Sequence, residues 1–275
     1  MDRTRTKLKD AKRVVVKIGT TTLTHQNGKL NLRRIKELSW VLSDLKNGGK
    51  EVILVSSGAI AVGTERLCLP ERPRDTRGKQ AASAVGQAAL IQMYQSFFSD
   101  YNQIVAQILL TRDVIECADR RQNARNTFNA LISMGVIPIV NENDTVSTDE
   151  VELDNDTLSA YVAALVEADA LIMLSDIDGL YTADPNVNPG ASRISQVDAI
   201  DDELWRACTG TTSRLGTGGM ATKLTAAGIT MPLGIDMVVA SGERPAVLHE
   251  ILNGDEAGTL FAGSAPGGSP GGERP

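Results

Sequence analysis

Histidine occurs only twice in this chain, at His25 and His249. His25 stands in a Gln-Asn-Gly turn region and His249 in a short C-terminal helix, so both read as surface residues and neither is placed to serve as a general base. Cysteine is nearly as scarce. Cys68, Cys117 and Cys208 are odd in number, far apart and without a C-x-x-C pair, which excludes a disulfide framework and a zinc knuckle and fits a reducing cytosol. All three read as small buried or half-buried hydrophobes. No apolar run approaches the ~18 residues of a membrane span, and no apolar signal core follows the charged N-terminus. A basic surplus is missing too: 28 Lys and Arg stand against 34 Asp and Glu, a formal charge of −6. Nucleic acid and membrane surfaces are therefore poor partners, and any anionic ligand must be held by local positive groups. The P-loop pattern G-x-x-x-x-G-K-[ST] and the dinucleotide pattern G-x-G-x-x-G match nowhere.

Short apolar segments alternate with helical periodicity. Val14–Ile18, Val52–Val55, Ile104–Leu110, Val136–Val140 and Leu171–Leu174 are candidate strands. Leu32–Lys46 carries apolar residues at helical spacing, with Asn31 as a cap and Gly48-Gly49 as a stop. Further helices are expected up to about Phe98, over Asp119–Met134 and over Thr157–Glu167. Several strands are apolar throughout, as expected when helices cover both faces of a sheet. The alternation implies a doubly wound, mostly parallel α/β sheet whose ligands sit beyond the C-terminal strand ends. Gly19-Thr20-Thr21, Ser56-Ser57-Gly58, Asn141-Glu142-Asn143-Asp144 and Ser175-Asp176 then share one rim. Residues from Thr182 to Asp198 read as a long polar excursion, and 264–275 as a disordered tail.

Four clusters can carry chemistry. In Leu215–Lys223, three glycines precede a helix whose first turns hold Lys223. Free amides, the helix N-terminus and a mobile ammonium suit a phosphate, although a flexible loop with a surface lysine has the same sequence. Lys17 interrupts an apolar strand, so it either meets an anion or reaches water along its stem. Asp154-Asn155-Asp156-Thr157 opens a helix; one acid is enough for the cap, which leaves a carboxylate to hold lysines and an amide to bind a polar ligand. Asn141–Asp144 is either a plain turn or a grip for an ammonium or a metal. The lack of a histidine base fits one chemistry: a carboxylate acceptor with pKa about 4.3 is already ionised and needs no base.

Taken in order, Val16-Lys17-Ile18-Gly19-Thr20, Ser57-Gly58-Ala59-Ile60, Asn141–Asp144, Asp154–Asp156, Gly179–Pro185 and Gly216–Lys223 resemble the amino acid kinase family over about Lys12 to Gly263. The resemblance is to members that phosphorylate the γ-carboxylate of L-glutamate with ATP, the first step of proline biosynthesis. It implies a three-layer αβα sandwich around a mainly parallel sheet of roughly eight strands. One domain spans 1–263, with a glutamate-binding half at about 12–168 and an ATP-binding half at about 169–263. Lys17 and Lys223 correspond to lysines that stabilise the transferring phosphoryl group, and Asp156 to the aspartate that organises them. Ser57, Gly58, Asp144, Asp154 and Asn155 correspond to glutamate-binding positions. Lys17, Ser175, Asp176, Thr217, Gly218, Gly219, Met220, Ala221, Thr222 and Lys223 correspond to the ATP site. Mg²⁺ arrives with the nucleotide, and the protein has no metal site of its own. A homo-oligomer and feedback inhibition by proline are family expectations. Many such bacterial members continue into a C-terminal PUA domain; none is expected here.

Overall fold

The computed structural model describes residues 3–25, 27–146, 154–183, 188, 190–209 and 219–264. In chain order these form α1 (Arg3–Asp10), β1 (Arg13–Ile18), α2 (Thr20–Leu23), α3 (Leu32–Asn47), β2 (Glu51–Ser56), α4 (Ala59–Arg66) and α5 (Thr76–Ser99). There follow β3 (Val105–Leu110), α6 (Arg112–Glu116), α7 (Ala118–Ser133), β4 (Ile137–Glu142), α8 (Asn155–Leu165) and β5 (Ala170–Ser175). The chain ends with β6 (Leu180–Tyr181), β7 (Arg193–Ile194), β8 (Gln196–Val197), α9 (Asp202–Thr209), α10 (Met220–Thr230), β9 (Asp236–Ser241), α11 (Val247–Leu252) and β10 (Thr259–Phe261).

Among the described residues one eight-stranded sheet runs in the order β3-β4-β2-β1-β5-β9-β10-β8. Pairing is parallel throughout except between β9 and β10. The apolar strands explain the layering. Successive side chains of a strand point to opposite faces. Val14, Val16 and Ile18 enter a core with α1, α3, α5 and α11, whereas Val15 enters a second core with α8, α9 and α10. The result is a three-layer αβα sandwich whose central strands β1, β2, β4 and β5 are buried almost throughout.

Local signals act as expected where they are strong. The Asn31 side chain accepts from Arg34 N at the start of α3, and Gly48 closes that helix. Asp75 caps α5 in the same way, through Gly78 N. Three readings of the sequence need correction. The stretch Thr182–Asp198 is not simply an excursion: β6 and β7 pair in a small hairpin, and β8 joins the main sheet beside β10. Two-residue strands are too short to show a period. The strands β9 and β10 and the helix α9 were not singled out either. Cys68 and Cys117 are exposed, because they lie at helix ends instead of on core faces. Residues 184–187, 189, 210–218 and 265–275 lie outside the described residues, so the expected tail, Thr217 and Gly218 do too.

Candidate functional site

Strand β1 lies at the middle of the sheet, flanked by β2 and β5. Lys17 shares the face of Val15, so its side chain enters the layer of α8 and α10. It is only 8% exposed. An ammonium buried to that degree needs a counter-charge. Asp156 supplies it: Lys17 Nζ lies 2.6 Å from Asp156 Oδ1. Lys223 Nζ reaches the other oxygen of the same carboxylate, Oδ2, at 3.2 Å. The Thr222 hydroxyl donates to Asp156 Oδ2 at 2.7 Å and also lies 3.0 Å from the Gly219 carbonyl oxygen. Two lysines remote in sequence thus converge on one buried aspartate, which is 6% exposed. Burial alone would raise the Asp156 carboxyl. The Lys17 and Lys223 ammoniums, aided by the Thr222 hydroxyl, outweigh it and hold the pKa at about 2.

Helix starts place these groups. Helix α8 returns from the β4 end toward β5, so its first turn lies at the C-terminal rim of the sheet. The Asp154 carboxylate caps it, accepting from Asp156 N at 3.0 Å, Thr157 N at 2.9 Å and Thr157 Oγ1 at 2.6 Å. Asp154 is therefore the cap, and Asp156, two residues on, turns inward. Helix α10 starts at Gly219, whose φ of +66° suits glycine, and puts Thr222 and Lys223 in its first turn and a half.

A cleft of about 100 Å³ opens beside this cluster, lined by Thr20, Gly58, Asn141, Glu142, Asp144 and Asn155 among others. Gly19, the neighbour of the lining residue Thr20, lies close to Lys17: a Cβ added there would stand 3.5 Å from Lys17 Nζ. Ala59, Ile60 and Ala61, the first residues of α4, form one wall. Their amides precede the helical ladder, whose first bond runs from Val62 N to Gly58 O, and no side chain caps the helix. Gly58, with φ of +102°, makes the turn that aims them. On the opposite wall Ser83 Oγ donates to Asp144 Oδ2 at 2.7 Å, and Gln87 Nε2 donates to the Glu142 carbonyl at 3.1 Å. Asn155 Oδ1 is buried without a hydrogen-bond partner, an acceptor left for something that enters the cleft.

The expected site residues thus fall into groups. Lys17, Asp156, Thr222 and Lys223 meet directly. Gly58, Asp144, Asp154 and Asn155 line the cleft, Asp154 while serving as cap. Ser57 is buried in the turn before Gly58 and does not line it. Ser175 and Asp176 end β5, where Ser175 Oγ donates to Asp176 Oδ1 at 3.0 Å. Among the described residues no hydrogen bond joins that pair to Gly219, Met220 or Ala221. No three His, Cys, Asp or Glu side chains among the described residues gather as a metal cage. Arg72, the amides of α4 and the supporting Ser83 and Gln87 were not foreseen. Arg72 stands in a Pro-Glu-Arg-Pro loop with no periodicity to mark it, and only the fold brings it to the cleft.

The model of the amino acid kinase family matches residues 12–241. Glutamate 5-kinase of Clostridium perfringens is 52% identical over 259 residues, covering 92% of this chain and 96% of that protein. Glutamate 5-kinase of Symbiobacterium thermophilum is 53% identical over 259 residues, covering 94% and 98%. Glutamate 5-kinase of Listeria welshimeri is 51% identical over 263 residues, covering 94% and 95%. Among solved structures, UMP kinase from Bacillus anthracis superposes with a TM-score of 0.62 at 20% identity, covering 93% of this chain and 97% of that one. Isopentenyl phosphate kinase from T. acidophilum gives 0.61 at 16% identity, covering 90% and 99%. At such low identity these two speak for the fold alone.

Proposed function

The chain belongs to the amino acid kinase family, and from that premise we propose that it acts as a glutamate 5-kinase, moving the γ-phosphoryl group of ATP to the γ-carboxylate of L-glutamate. A γ-carboxylate oxygen attacks the γ-phosphorus, the bond from that phosphorus to the β,γ-bridging oxygen breaks, and L-glutamate 5-phosphate and ADP form. The attacking carboxylate is already ionised at neutral pH, so no base is required. The barrier is repulsion among anions, which fixed positive groups relieve. The observation that carries the reading is the pair of ammoniums on Asp156 beside a cleft lined with amides and acids. With a pKa of about 2, Asp156 stays charged at any working pH and holds both lysines in place.

The assignments follow from position. Lys17 and Lys223 neutralise the migrating phosphoryl group, and the N-terminus of α10 faces the nucleotide phosphates. Glutamate occupies the cleft, its ammonium toward Asp144 and Asn155. Ser175 and Asp176 border the nucleotide at the end of β5. Mg²⁺, bound by ATP phosphates, supplies further charge neutralisation; the residues present suit a metal that enters on its nucleotide, since the cluster itself is two cations on one acid. A cytosolic homo-oligomer inhibited by proline completes the reading; light scattering and proline titration test those two points. The central experiment couples ADP release to glutamate addition with Mg-ATP. Turnover that depends on L-glutamate is expected. Its absence in folded protein, or a preference for aspartate, N-acetylglutamate or carbamate, overturns the proposal.

A further inference from the structure

L-Glutamate carries two carboxylates and one ammonium at neutral pH. If the γ-carboxylate faces Lys17, the α-carboxylate lies farther from Lys17, in a cleft whose ionisable lining is mostly acidic. Glu142, Asp144 and Asp154 all stand there. They suit the ammonium and repel the α-carboxylate. Among the described residues a single cationic side chain lines the same cleft, Arg72.

Arg72 makes no hydrogen bond and no ion pair among the described residues. Its neighbour Arg74, by contrast, approaches Glu71 at 3.4 Å. The acid nearest in sequence is thus taken by the other arginine. The backbone of the loop is nonetheless held. Pro73 packs so closely on the start of α5 that a Cβ added to Gly78 would come within 2.7 Å of Pro73 Cβ. Asp75 ties the same turn by capping that helix through Gly78 N at 3.1 Å. A fixed backbone thus carries an uncommitted guanidinium to the lining of the cleft, which the uncapped amides of α4 share. A guanidinium grips a carboxylate through two parallel N–H···O bonds, which an ammonium cannot reproduce.

We propose that Arg72 binds the α-carboxylate of the acceptor and so selects free amino acids over α-substituted ones. The inference rests on glutamate being the acceptor. Arg72 touches the substrate away from the reacting atoms, so it acts in ground-state binding and not on the phosphoryl group.

The test compares the unaltered protein with Arg72→Ala and Arg72→Lys, using L-glutamate and its α-amide, L-isoglutamine, which keeps the ammonium and γ-carboxylate. For Arg72→Ala the KM for glutamate should rise roughly 10- to 100-fold, the range for a lost charge-assisted bond. The kcat and the KM for Mg-ATP should stay within about twofold, since ground-state binding alone is removed. The KM for isoglutamine should not change; where the amide is not turned over, its Ki against glutamate serves instead. Arg72→Lys should fall between, keeping the charge and losing the fork. Both variants should melt with the unaltered protein, because Arg72 is exposed and unbonded. Equal losses for acid and amide, an unmoved KM, or a fall in kcat alone each overturn the assignment. If the unaltered protein shows no glutamate turnover, the functional reading fails and this inference with it. If it turns over glutamate and Arg72→Ala is silent, only the inference fails.

Discussion

A lysine inside an apolar strand states a problem that only tertiary structure can solve, and here the solution is the site itself. Lys17 was legible because nothing else in Val14–Ile18 is charged. Its partner was legible only as one of three adjacent polar residues: any of Asp154, Asn155 and Asp156 can cap a helix. Which one caps and which turns inward is decided by where α8 meets β1, and no local rule contains that. Lys223→Ala removes one of the two ammoniums aimed at the phosphoryl group. The expected loss in kcat is at least ~10²-fold, as for deletion of one preorganised electrostatic donor, and steady-state kinetics checks it. Asp156→Asn acts on stability as well. The folded pKa, about 2, lies below the ordinary 3.8, so on acidification the unfolded chain takes the proton first. The stabilisation is whole above the ordinary value and is lost as pH falls through 2. It amounts to about 2 kcal/mol. At pH 7 the asparagine variant also leaves two buried ammoniums facing an amide, a loss on the order of 3–5 kcal/mol. Urea unfolding at pH 7, 4, 3 and 2 should show that large loss at pH 7 and a flatter acid limb in the variant.

Elements with a long period were easy to see in the sequence and short ones were not. Helix α3, with its Asn31 cap and Gly48 stop, could be placed almost to the residue. The edge strand β8 has two residues and gives no pattern to count. Close helix contacts are likewise invisible, since a glycine that permits them looks like any other. Helices α4 and α5 touch where Gly63 and Gly86 leave no room: a Cβ at Gly86 would lie 1.8 Å from the Ala59 carbonyl oxygen, and one at Gly63 1.7 Å from that of Ala82. Backbone atoms cannot yield cheaply, and Ala59 also lines the cleft. Gly86→Ala should therefore cost at least ~1–3 kcal/mol and, by pushing α4 aside, raise the KM for glutamate. Gly228, inside α10, is the control. A Cβ there meets nothing within 4 Å, and Gly228→Ala should stabilise by about 0.5–1 kcal/mol without touching kinetics. Thermal melts and a glutamate titration of both variants distinguish the two kinds of glycine.

At the scale of the whole molecule, the order of strands explains why the chemistry sits where it does. On one side of β1 the chain lays down β2, then β3 at the edge, then β4 between them, and it crosses to the other side at β5. The crevice beyond the strand ends at such a reversal is where open α/β sheets bind ligands. Lys17 stands on β1 beside that reversal, α8 makes the crossing with Asp156 at its start, and α10 delivers Lys223 ahead of β9. The acceptor cleft is built from segments between β1 and α8, whereas Lys223 and the α10 N-terminus come from the later part of the chain. This division makes the two ligands separable in a thermal melt. Each ligand at 100 times its Kd stabilises the folded state by about 2.7 kcal/mol. That corresponds to roughly 5–10 °C for a chain of this size. Lys223→Ala should shrink the shift given by a non-hydrolysable Mg-ATP analogue, because a charge-assisted contact to phosphate is gone. It should leave the shift given by glutamate nearly intact, since the cleft lining does not include Lys223. The opposite pattern, a lost glutamate shift with the nucleotide shift retained, would move Lys223 to the acceptor side and undo the division of labour proposed for the two ends of the site.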